Sequence, residues 1–321
     1  MKLLITGYPG FLGRHVARAL KKEGHVIRVL FHRRTVTRKE FSEEADECLW
    51  GSVLKEEDIR KAVAGIDGVV HCAWAFHPPA TERPTPNERG TELLFKESVR
   101  AGVKDFLFIS SIAVYGMEIR SDSRLTESSP LATGDDLLFL YPAEKIACEN
   151  ILLSSERKGI RLGIFRPGPI FSDEKSPIKK ILTIAGHSFA LGIGNGLNRM
   201  GFIHAEDVVE AVVKWLKNGE DGAIFNVTPT DCLKHKDWYC RWAEVHKLRL
   251  TPVFIPGYLI RLAAFGVVVL KRWMGKETRS DINYAILSAT RNIQYNSEML
   301  KRSLDWKDEA TARYTWSESG K

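Results

Sequence analysis

The sequence predicts an α/β fold in which a doubly wound parallel sheet carries a smaller, mainly helical C-terminal lobe. Short β-branched runs alternate with amphipathic helical stretches through the first half of the chain, as in sheets built from parallel strands and crossover helices. This alternation breaks beyond Pro167, where short glycine-rich pieces precede further helical stretches. We therefore expect one domain over residues 1–168 and the lobe over residues 169–321, with residues 202–228 packing back on the first domain.

The order of the elements follows from these runs. Runs rich in β-branched and aromatic residues predict six strands in the first half, at Lys2–Thr6, His25–Phe31, Cys48–Trp50, Gly68–Cys72, Asp105–Ile109 and Arg161–Phe165. Apolar residues spaced three and four apart predict the helices between them, at Phe11–Glu23, Glu56–Ala64, Asn87–Ala101 and Tyr141–Arg157. In the lobe we expect helices at Ala205–Lys217, Lys234–His246 and Gly257–Met274.

Composition and charge limit the class of protein. The 321 residues are 44% hydrophobic and 27% charged, which excludes disordered, collagen-like and coiled-coil chains. The net charge of +7 suits an anionic small ligand as well as a nucleic acid, so charge alone does not decide between them. The five cysteines form no C-x-x-C pair and no set at zinc spacing, so we expect reduced thiols and no metal site.

Two apolar stretches bear on the location of the protein. The first strand leads directly into a glycine-rich turn, which leaves no room for a cleavable signal peptide, so a cytoplasmic protein is expected. Residues 253–270 are almost wholly apolar, but Pro256, Gly257 and Arg261 interrupt them. Because spanning a bilayer takes about 20 clean apolar residues, we expect a buried or pocket-lining helix and no membrane span. Peripheral contact with a membrane through this run stays open.

A glycine-rich turn follows the first predicted strand. Residues 6–13 read TGYPGFLG and place glycines at positions 7, 10 and 13, where a strand gives way to a helix. Such a turn lets the backbone approach a pyrophosphate and directs N–H groups and the helix dipole at its charge. The motif at this position predicts a Rossmann-type dinucleotide-binding domain, the alternative being an ordinary strand-to-helix turn.

The end of the second strand bears on the type of dinucleotide. His32 and Arg33 stand there, and no Asp or Glu is placed to bind the ribose diol of NAD. An arginine suits the 2′-phosphate of NADP, because its guanidinium can donate two hydrogen bonds to phosphate. We expect NADP, with NAD as the alternative if these residues form only a solvated basic loop.

A tyrosine and a lysine form a candidate proton-transfer pair. Tyr141 and Lys145 lie four residues apart at the start of a predicted helix, so their side chains share one face. A nearby ammonium favours phenolate and lowers the pKa of a tyrosine. Many such pairs only decorate a helix surface. Here Ser110 and Ser111 follow a parallel strand at the edge of the sheet where ligands bind, which favours a functional site.

Seven segments in order carry a resemblance to a known family. They are TGYPGFLG at 6–13, HCAW at 71–74, NERGT at 87–91, FISSIAVYG at 108–116, YPAEK at 141–145, FRPGPIF at 165–171 and FIHAEDVVEAV at 202–212. From Lys2 to about Val227 the chain resembles an extended short-chain dehydrogenase/reductase of the NAD(P)-dependent epimerase/dehydratase superfamily.

The resemblance implies roles for individual residues. Tyr141 is implied as the catalytic acid/base, Lys145 as the ribose-binding residue, and Ser111 as the group that binds the substrate oxygen. Ser111 is preferred over Ser110 because the family serine stands five residues before the glycine that here is Gly116. The cofactor-binding set is then Gly7, Gly10, Phe11, Leu12, Gly13, His32, Arg33, Ser52, Val53, Ala73, Trp74, Tyr141, Lys145, Pro167 and Ile170.

Departures from the family pattern bear on the substrate. Ser52 stands where the family usually has an Asp that contacts adenine, and Gly168 and Met200 stand where nucleotide-sugar enzymes present polar or cationic groups. The lobe is instead rich in apolar residues. A substrate with little charge is therefore expected, and the chain looks nearer to the steroid-dehydrogenase and dihydroflavonol-reductase-like side of the family. The candidate substrate-binding residues are Asn87, Phe189, Tyr258 and Leu262.

These observations together predict an enzyme with a small-molecule substrate and no nucleic-acid partner. It interconverts a secondary alcohol and a ketone on a largely apolar molecule, using NADP or NAD. The alternatives are a nucleotide-sugar epimerase or dehydratase with tightly bound NAD, and a dinucleotide-sensing binding protein. The intact set of Ser111, Tyr141 and Lys145 argues against the sensor. A homodimer stays open.

Overall fold

The computed structural model describes residues 1–32, 44–75, 84–117, 119, 123–134, 139–175, 181–184, 187–263 and 282–314. The strands are β1 Lys2–Thr6, β2 Val26–Phe31, β3 Glu47–Trp50, β4 Gly68–His71, β5 Asp105–Ile109, β6 Arg124–Leu125, β7 Arg161–Pro167, β8 Ile170–Phe171, β9 Ile181–Ile184, β10 His187–Ile193, β11 Ile203–His204, β12 Ala223–Val227, β13 Leu250–Ile255 and β14 Gln294–Tyr295. The α-helices are α1 Phe11–Lys22, α2 Glu56–Val63, α3 Pro86–Arg100, α4 Leu140–Ser154, α5 Ala205–Asn218, α6 His235–Val245, α7 Ile282–Thr290, α8 Glu298–Leu304 and α9 Glu309–Ala312.

A seven-stranded parallel sheet with the order β12-β7-β5-β4-β1-β2-β3 forms the centre of the molecule. The predicted Rossmann-type doubly wound fold is confirmed, and the six strands predicted for the first half are all present. The chain runs outward from β1 through β2 to β3 and then returns to β4 on the other side of β1. The turn after β1 therefore lies where the strand order reverses, which is where ligands bind in open α/β sheets.

Both faces of the sheet are buried, because the strands present apolar side chains alternately to either side. Leu3 and Ile5 of β1 pack in one cluster with Val16 of α1 and Trp215 of α5. Leu4 of the same strand faces the other side, in a cluster that also holds Ile59, Leu94 and Cys148 of α2, α3 and α4. This period of two gives the doubly wound arrangement its two helix layers.

The segment 202–228 contributes to the main sheet domain. Strand β12 pairs with β7 at the edge of the sheet, and α5 packs beside α1. Asp207 of α5 accepts hydrogen bonds from the backbone N–H groups of Ala310 and Thr311, at 2.9 and 2.7 Å, and so holds α9 against the domain. Burial raises the pKa of Asp207 to about 6.

The lobe contains a three-stranded sheet with the order β13-β10-β9, which the sequence analysis did not predict. Residues 253–255, expected to begin one long apolar helix, instead complete β13. Pro256 has no N–H to donate, so it ends the strand, and a helical segment follows over residues 257–263. The rest of the helix predicted over Gly257–Met274 lies outside the described residues. No helix within the described ranges is both long and apolar enough to cross a membrane.

Candidate active site

A cavity of about 610 Å³ opens where β1, β5 and β7 end. Most of the predicted cofactor-binding and catalytic residues line it: Gly7, Gly10, Phe11, Leu12, Gly13, Trp74, Ser111, Tyr141, Lys145, Pro167 and Ile170. The lobe closes the far side. The residues that it contributes include Arg199, Met200, Ser288, Arg291, Ile293 and Tyr295.

The glycine turn forms one wall and can hold an anion. Gly7 has a φ of +82°, and a Cβ added to Gly10 or Gly13 would lie 2.6 or 2.7 Å from the Gly7 carbonyl oxygen, so the turn excludes side chains. Gly10 is the N-cap residue of α1 and has no side chain that could accept from the helix N–H groups. The first helical turn contains no acidic residue either. No side chain in the described ranges caps the N–H groups at this end of the helix, so they can bind a ligand, and a dinucleotide pyrophosphate fits them.

Tyr141 lies at the start of α4 beside Ser111, which follows β5. The hydroxyls of Tyr141 and Ser111 form a hydrogen bond, and both residues line the cavity. Burial raises the pKa of Tyr141, and the hydrogen bond with Ser111 partly offsets this. The tyrosine is thus held neutral, with a transferable proton next to a second hydroxyl.

Lys145 lies one helical turn beyond Tyr141 and is buried. Its Nζ donates to the backbone carbonyl of Ile109 at 2.7 Å and lies 3.5 Å from the centroid of the Trp74 ring. Desolvation lowers the pKa of Lys145 to about 7. In this arrangement burial is the main influence on the pKa of Tyr141 and Ser111 the opposing one. The amine is itself desolvated and directed toward Ile109 and Trp74.

The two serines after β5 have separate partners. Ser110 donates to Glu149 Oε1 at 2.5 Å. Glu149 in turn pairs with Arg166 at the end of β7, with 2.6 Å between Oε2 and Nη2. Ser111 contacts Tyr141 and caps the following 3₁₀ turn by accepting from the N–H of Ala113 at 3.1 Å. The hydroxyl next to Tyr141 is thus that of Ser111.

A second cavity of about 320 Å³ adjoins the first and shares Gly7 and Trp74 with it. Its lining includes the predicted residues His32, Ser52, Val53, Ala73 and Asn87. No aspartate or glutamate is among the described residues that line this cavity. Arg33 lies outside the described residues. The Ser52 N–H donates to Asp58 at 2.9 Å, so that group is engaged within the protein.

A hydrogen-bond chain that the sequence analysis did not predict fixes the floor between the cavities. His71 is buried, and its ring nitrogens contact the hydroxyls of Thr6 at 2.6 Å and Thr91 at 3.1 Å. Thr91 donates to the Asn87 carbonyl oxygen, which assigns the Nε2–H tautomer to His71. Burial lowers the pKa of His71 to about 3, so the ring is neutral and structural.

The side chain of Asn87 forms hydrogen bonds within the protein. Its amide donates to the Ala75 carbonyl oxygen at 2.9 Å and to the buried Glu144 carboxylate at 3.1 Å, and its Oδ1 accepts from the Ala75 N–H. These contacts hold the chain that follows β4 against α3 and α4. Asn87 lines the second cavity rather than the one that contains Tyr141.

Three residues expected to contact substrate are not brought to the site. Neither Phe189, Tyr258 nor Leu262 is among the residues that line the two cavities. Tyr258 and Leu262 are 65% and 66% exposed, because the helical segment that starts at Gly257 packs through that glycine on Ile286 and turns these side chains outward. Apart from Met200, the lobe residues that line the main cavity belong to no quoted motif, so they were not predicted from the sequence.

A family model, several relatives and several solved structures are similar to the chain. The model of the NAD dependent epimerase/dehydratase family matches residues 3–228. A ketoreductase of Stigmatella aurantiaca that acts on 4-hydroxy-2-methyl-3-oxo-4-farnesyl-3,4-dihydroquinoline-1-oxide is 22% identical, over 97% of this chain and 93% of its own. A decarboxylating sterol-4-alpha-carboxylate 3-dehydrogenase of Dictyostelium discoideum is 24% identical, over 74% of each.

Nucleotide-sugar proteins are also similar. The chain spans about half the length of the mouse dTDP-D-glucose 4,6-dehydratase, at 33% identity over 51% of this chain and 48% of that one. A protein of Sinorhizobium fredii also matches only in part, over 70% of this chain and 55% of its own. Among solved structures, MoeE5 in complex with UDP-glucuronic acid and NAD superposes with a TM-score of 0.73 at 18% identity, over 98% and 96% of the two chains.

Proposed function

The chain belongs to the NAD dependent epimerase/dehydratase family. We propose that it is an enzyme of the short-chain dehydrogenase/reductase class that uses a nicotinamide dinucleotide and prefers NADP. It would interconvert a secondary alcohol and a ketone on a largely apolar small molecule. The observation that carries the proposal is the Tyr141–Ser111 hydrogen bond inside a cavity that the glycine turn also lines.

The proposed roles follow from these contacts. Bound in the cavity, the nicotinamide supplies or accepts the hydride. In ketone reduction Tyr141 donates its proton to the substrate oxygen, because burial keeps the phenol protonated. The phenolate that this transfer leaves is the group that takes the proton in alcohol oxidation. Ser111 holds the substrate oxygen beside it. Lys145 would hold the nicotinamide ribose, and the N–H groups at the start of α1 would hold the pyrophosphate.

The preference for NADP is supported by the lining of the second cavity. Its described residues include His32 and no carboxylate that could accept from a ribose diol. A 2′-phosphate would meet no negative charge there, and Arg33 follows His32 directly in the sequence.

We expect the wild-type enzyme to bind NADPH more tightly than NADH, and Arg33→Ala to remove that difference. Losing a charged hydrogen bond to phosphate weakens NADPH by about one to two decades in Kd, while NADH stays nearly unchanged. Fluorescence titration of both nucleotides measures this, with Arg302→Ala, an exposed arginine of α8, as the matched charge control. Equal weakening of both nucleotides by Arg33→Ala, or tighter binding of NADH by the wild type, contradicts the assignment.

A substrate panel tests the reaction itself. Purified enzyme is offered ring-bearing and aliphatic ketones with NADPH, the corresponding alcohols with NADP, and UDP- and TDP-sugars, while absorbance follows the cofactor. The expected result is turnover of at least one apolar ketone or alcohol. Turnover of a nucleotide sugar alone, together with NAD that stays with the protein through purification, would establish the alternative.

That alternative, a nucleotide-sugar epimerase or dehydratase, has support of its own in the likeness to MoeE5 and to the mouse dehydratase. It would use the same Tyr141 and Lys145, so only the substrate panel separates the two.

A further inference from the structure

The lobe side of the main cavity carries positive charge that no described residue of the cavity wall neutralises. Arg199 and Arg291 both line it. Among the residues that the structure describes, no aspartate or glutamate does. The lining of the same cavity also includes the largely apolar side chains of Met117, Met200, Ile293 and Tyr295.

Arg199 is held at this wall by its backbone and by one of its guanidinium nitrogens. Its N–H donates to Asn292 Oδ1 at 2.8 Å, and its Nη1 donates to the carbonyl oxygen of Cys232 at 2.5 Å. A carbonyl is uncharged, so the guanidinium keeps its full charge and further donors. The contact with Asn292 also brings Arg199 next to Arg291 in the fold.

Arg291 is half-buried at the end of α7. Its backbone N–H continues the helix by donating to the carbonyl oxygen of Leu287. Its guanidinium makes no hydrogen bond or ion pair with any side chain or backbone group in the described ranges. A partly desolvated, unpaired charge is costly. An anionic ligand in the cavity would supply the missing partner.

The dinucleotide does not account for these arginines. Its pyrophosphate fits the start of α1, where Lys175 lies with its Nζ 4.1 Å from the centroid of the Phe11 ring and lines the same end of the cavity. Arg199 and Arg291 come from the lobe, and neither belongs to the predicted dinucleotide-binding set.

Building on the proposed function, we propose that the substrate is amphiphilic, with an apolar body and a carboxylate or phosphate that Arg199 and Arg291 bind. This revises the expectation of a substrate with little charge, which rested on Gly168 and Met200. Those two positions do lack polar groups, but Arg199, next to Met200, and Arg291 of α7 place cations on the same wall.

The test is binding of three decyl compounds, decanoate, decyl phosphate and 1-decanol, by calorimetry with and without saturating NADPH. We expect at least one anion to bind about tenfold or more tightly than decanol, as a charged hydrogen-bonded contact provides. Arg291→Gln and Arg199→Gln should each remove most of this preference and leave decanol binding unchanged. Arg291→Lys should keep part of it. Arg302→Gln, which changes the same charge on an exposed face of α8, should keep all of it.

The two anions distinguish a carboxylate from a phosphate ligand. Equal or tighter binding of decanol, no binding of either anion, or an anion preference that survives in both Arg→Gln variants would overturn the proposal. The Kd for NADPH should be the same in Arg291→Gln as in the wild type, and a large loss there would assign Arg291 to the cofactor instead. Failure of the wild type to bind any nicotinamide dinucleotide would count against the proposed function, whereas the titrations without nucleotide still decide the anion site.

Discussion

Tyr141→Phe is expected to lower kcat by about two decades or more while the Kd for NADPH stays within about twofold. The substitution removes the hydroxyl that is hydrogen-bonded to Ser111 and keeps the ring, which packs edge-on against Trp74 with the centroids 5.8 Å apart. The cavity wall is therefore preserved and only the transferable proton is lost. Steady-state kinetics on the best ketone from the panel, with a nucleotide titration in parallel, measure both quantities.

Lys145→Met is expected to differ from Tyr141→Phe in its effect on NADPH binding. It should weaken NADPH binding and turnover together, because one amine would hold the ribose and help to organise the site. The variant should fold, since it replaces a buried amine, whose pKa desolvation lowers to about 7, by an apolar chain of similar length. Activity of Tyr141→Phe within a few-fold of the wild type, or loss of turnover in Lys145→Met without loss of nucleotide affinity, would refute these roles.

Arg166→Met is expected to cost about 3–5 kcal/mol in the free energy of unfolding. The side chains of Arg166 and Glu149 are only 3% and 0% exposed, and Arg166 makes two contacts with the carboxylate, at 2.6 and 3.0 Å. Without the guanidinium, the buried carboxylate of Glu149 keeps, among the described residues, the hydroxyl of Ser110 as its hydrogen-bond donor. Urea denaturation monitored by tryptophan fluorescence gives the change.

The double variant Arg166→Met, Glu149→Leu is the control for this ion pair. Removing both charges leaves no unpaired ion, so much of the lost stability should return. A single variant within about 1 kcal/mol of the wild type would mean that water or rearrangement compensates Glu149. Because Ser110 borders Ser111, the single variant should also reduce kcat.

The sequence predicted those features that depend on local periodicity or on a short motif. The six strands, the glycine turn and the i, i+4 placement of Tyr141 and Lys145 are of this kind, since each follows from neighbouring residues. The proximity of Ser111 to Tyr141 needed more, namely that β5 and α4 meet at the same edge of the sheet. The rule that ligand-binding residues gather at the carboxyl ends of parallel strands predicted this proximity.

Features built from residues far apart could not be predicted in this way. Arg199 and Arg291 line one cavity although they lie far apart in the sequence, and neither belongs to a quoted motif. The apolar run at 253–270 suited helix and strand equally over its first residues, and pairing of β13 with β10 decided for a strand. Tyr258 and Leu262 were assigned to the cavity from helical spacing alone, which does not specify the neighbour that the apolar face meets.

The edge position of β12 has a consequence for how the chain can be divided. Its five residues pair with β7 from Gly163 to Pro167, although the lobe sheet strands β9 and β10 lie between them in the sequence. A fragment that ended at residue 168 would lack β12 and present the N–H and C=O groups of β7 as a template for intermolecular strand pairing and aggregation. The lobe sheet is therefore built from segments on both sides of β12, since β9 and β10 precede it and β13 follows it. We expect that no single cut yields a stable dinucleotide-binding unit.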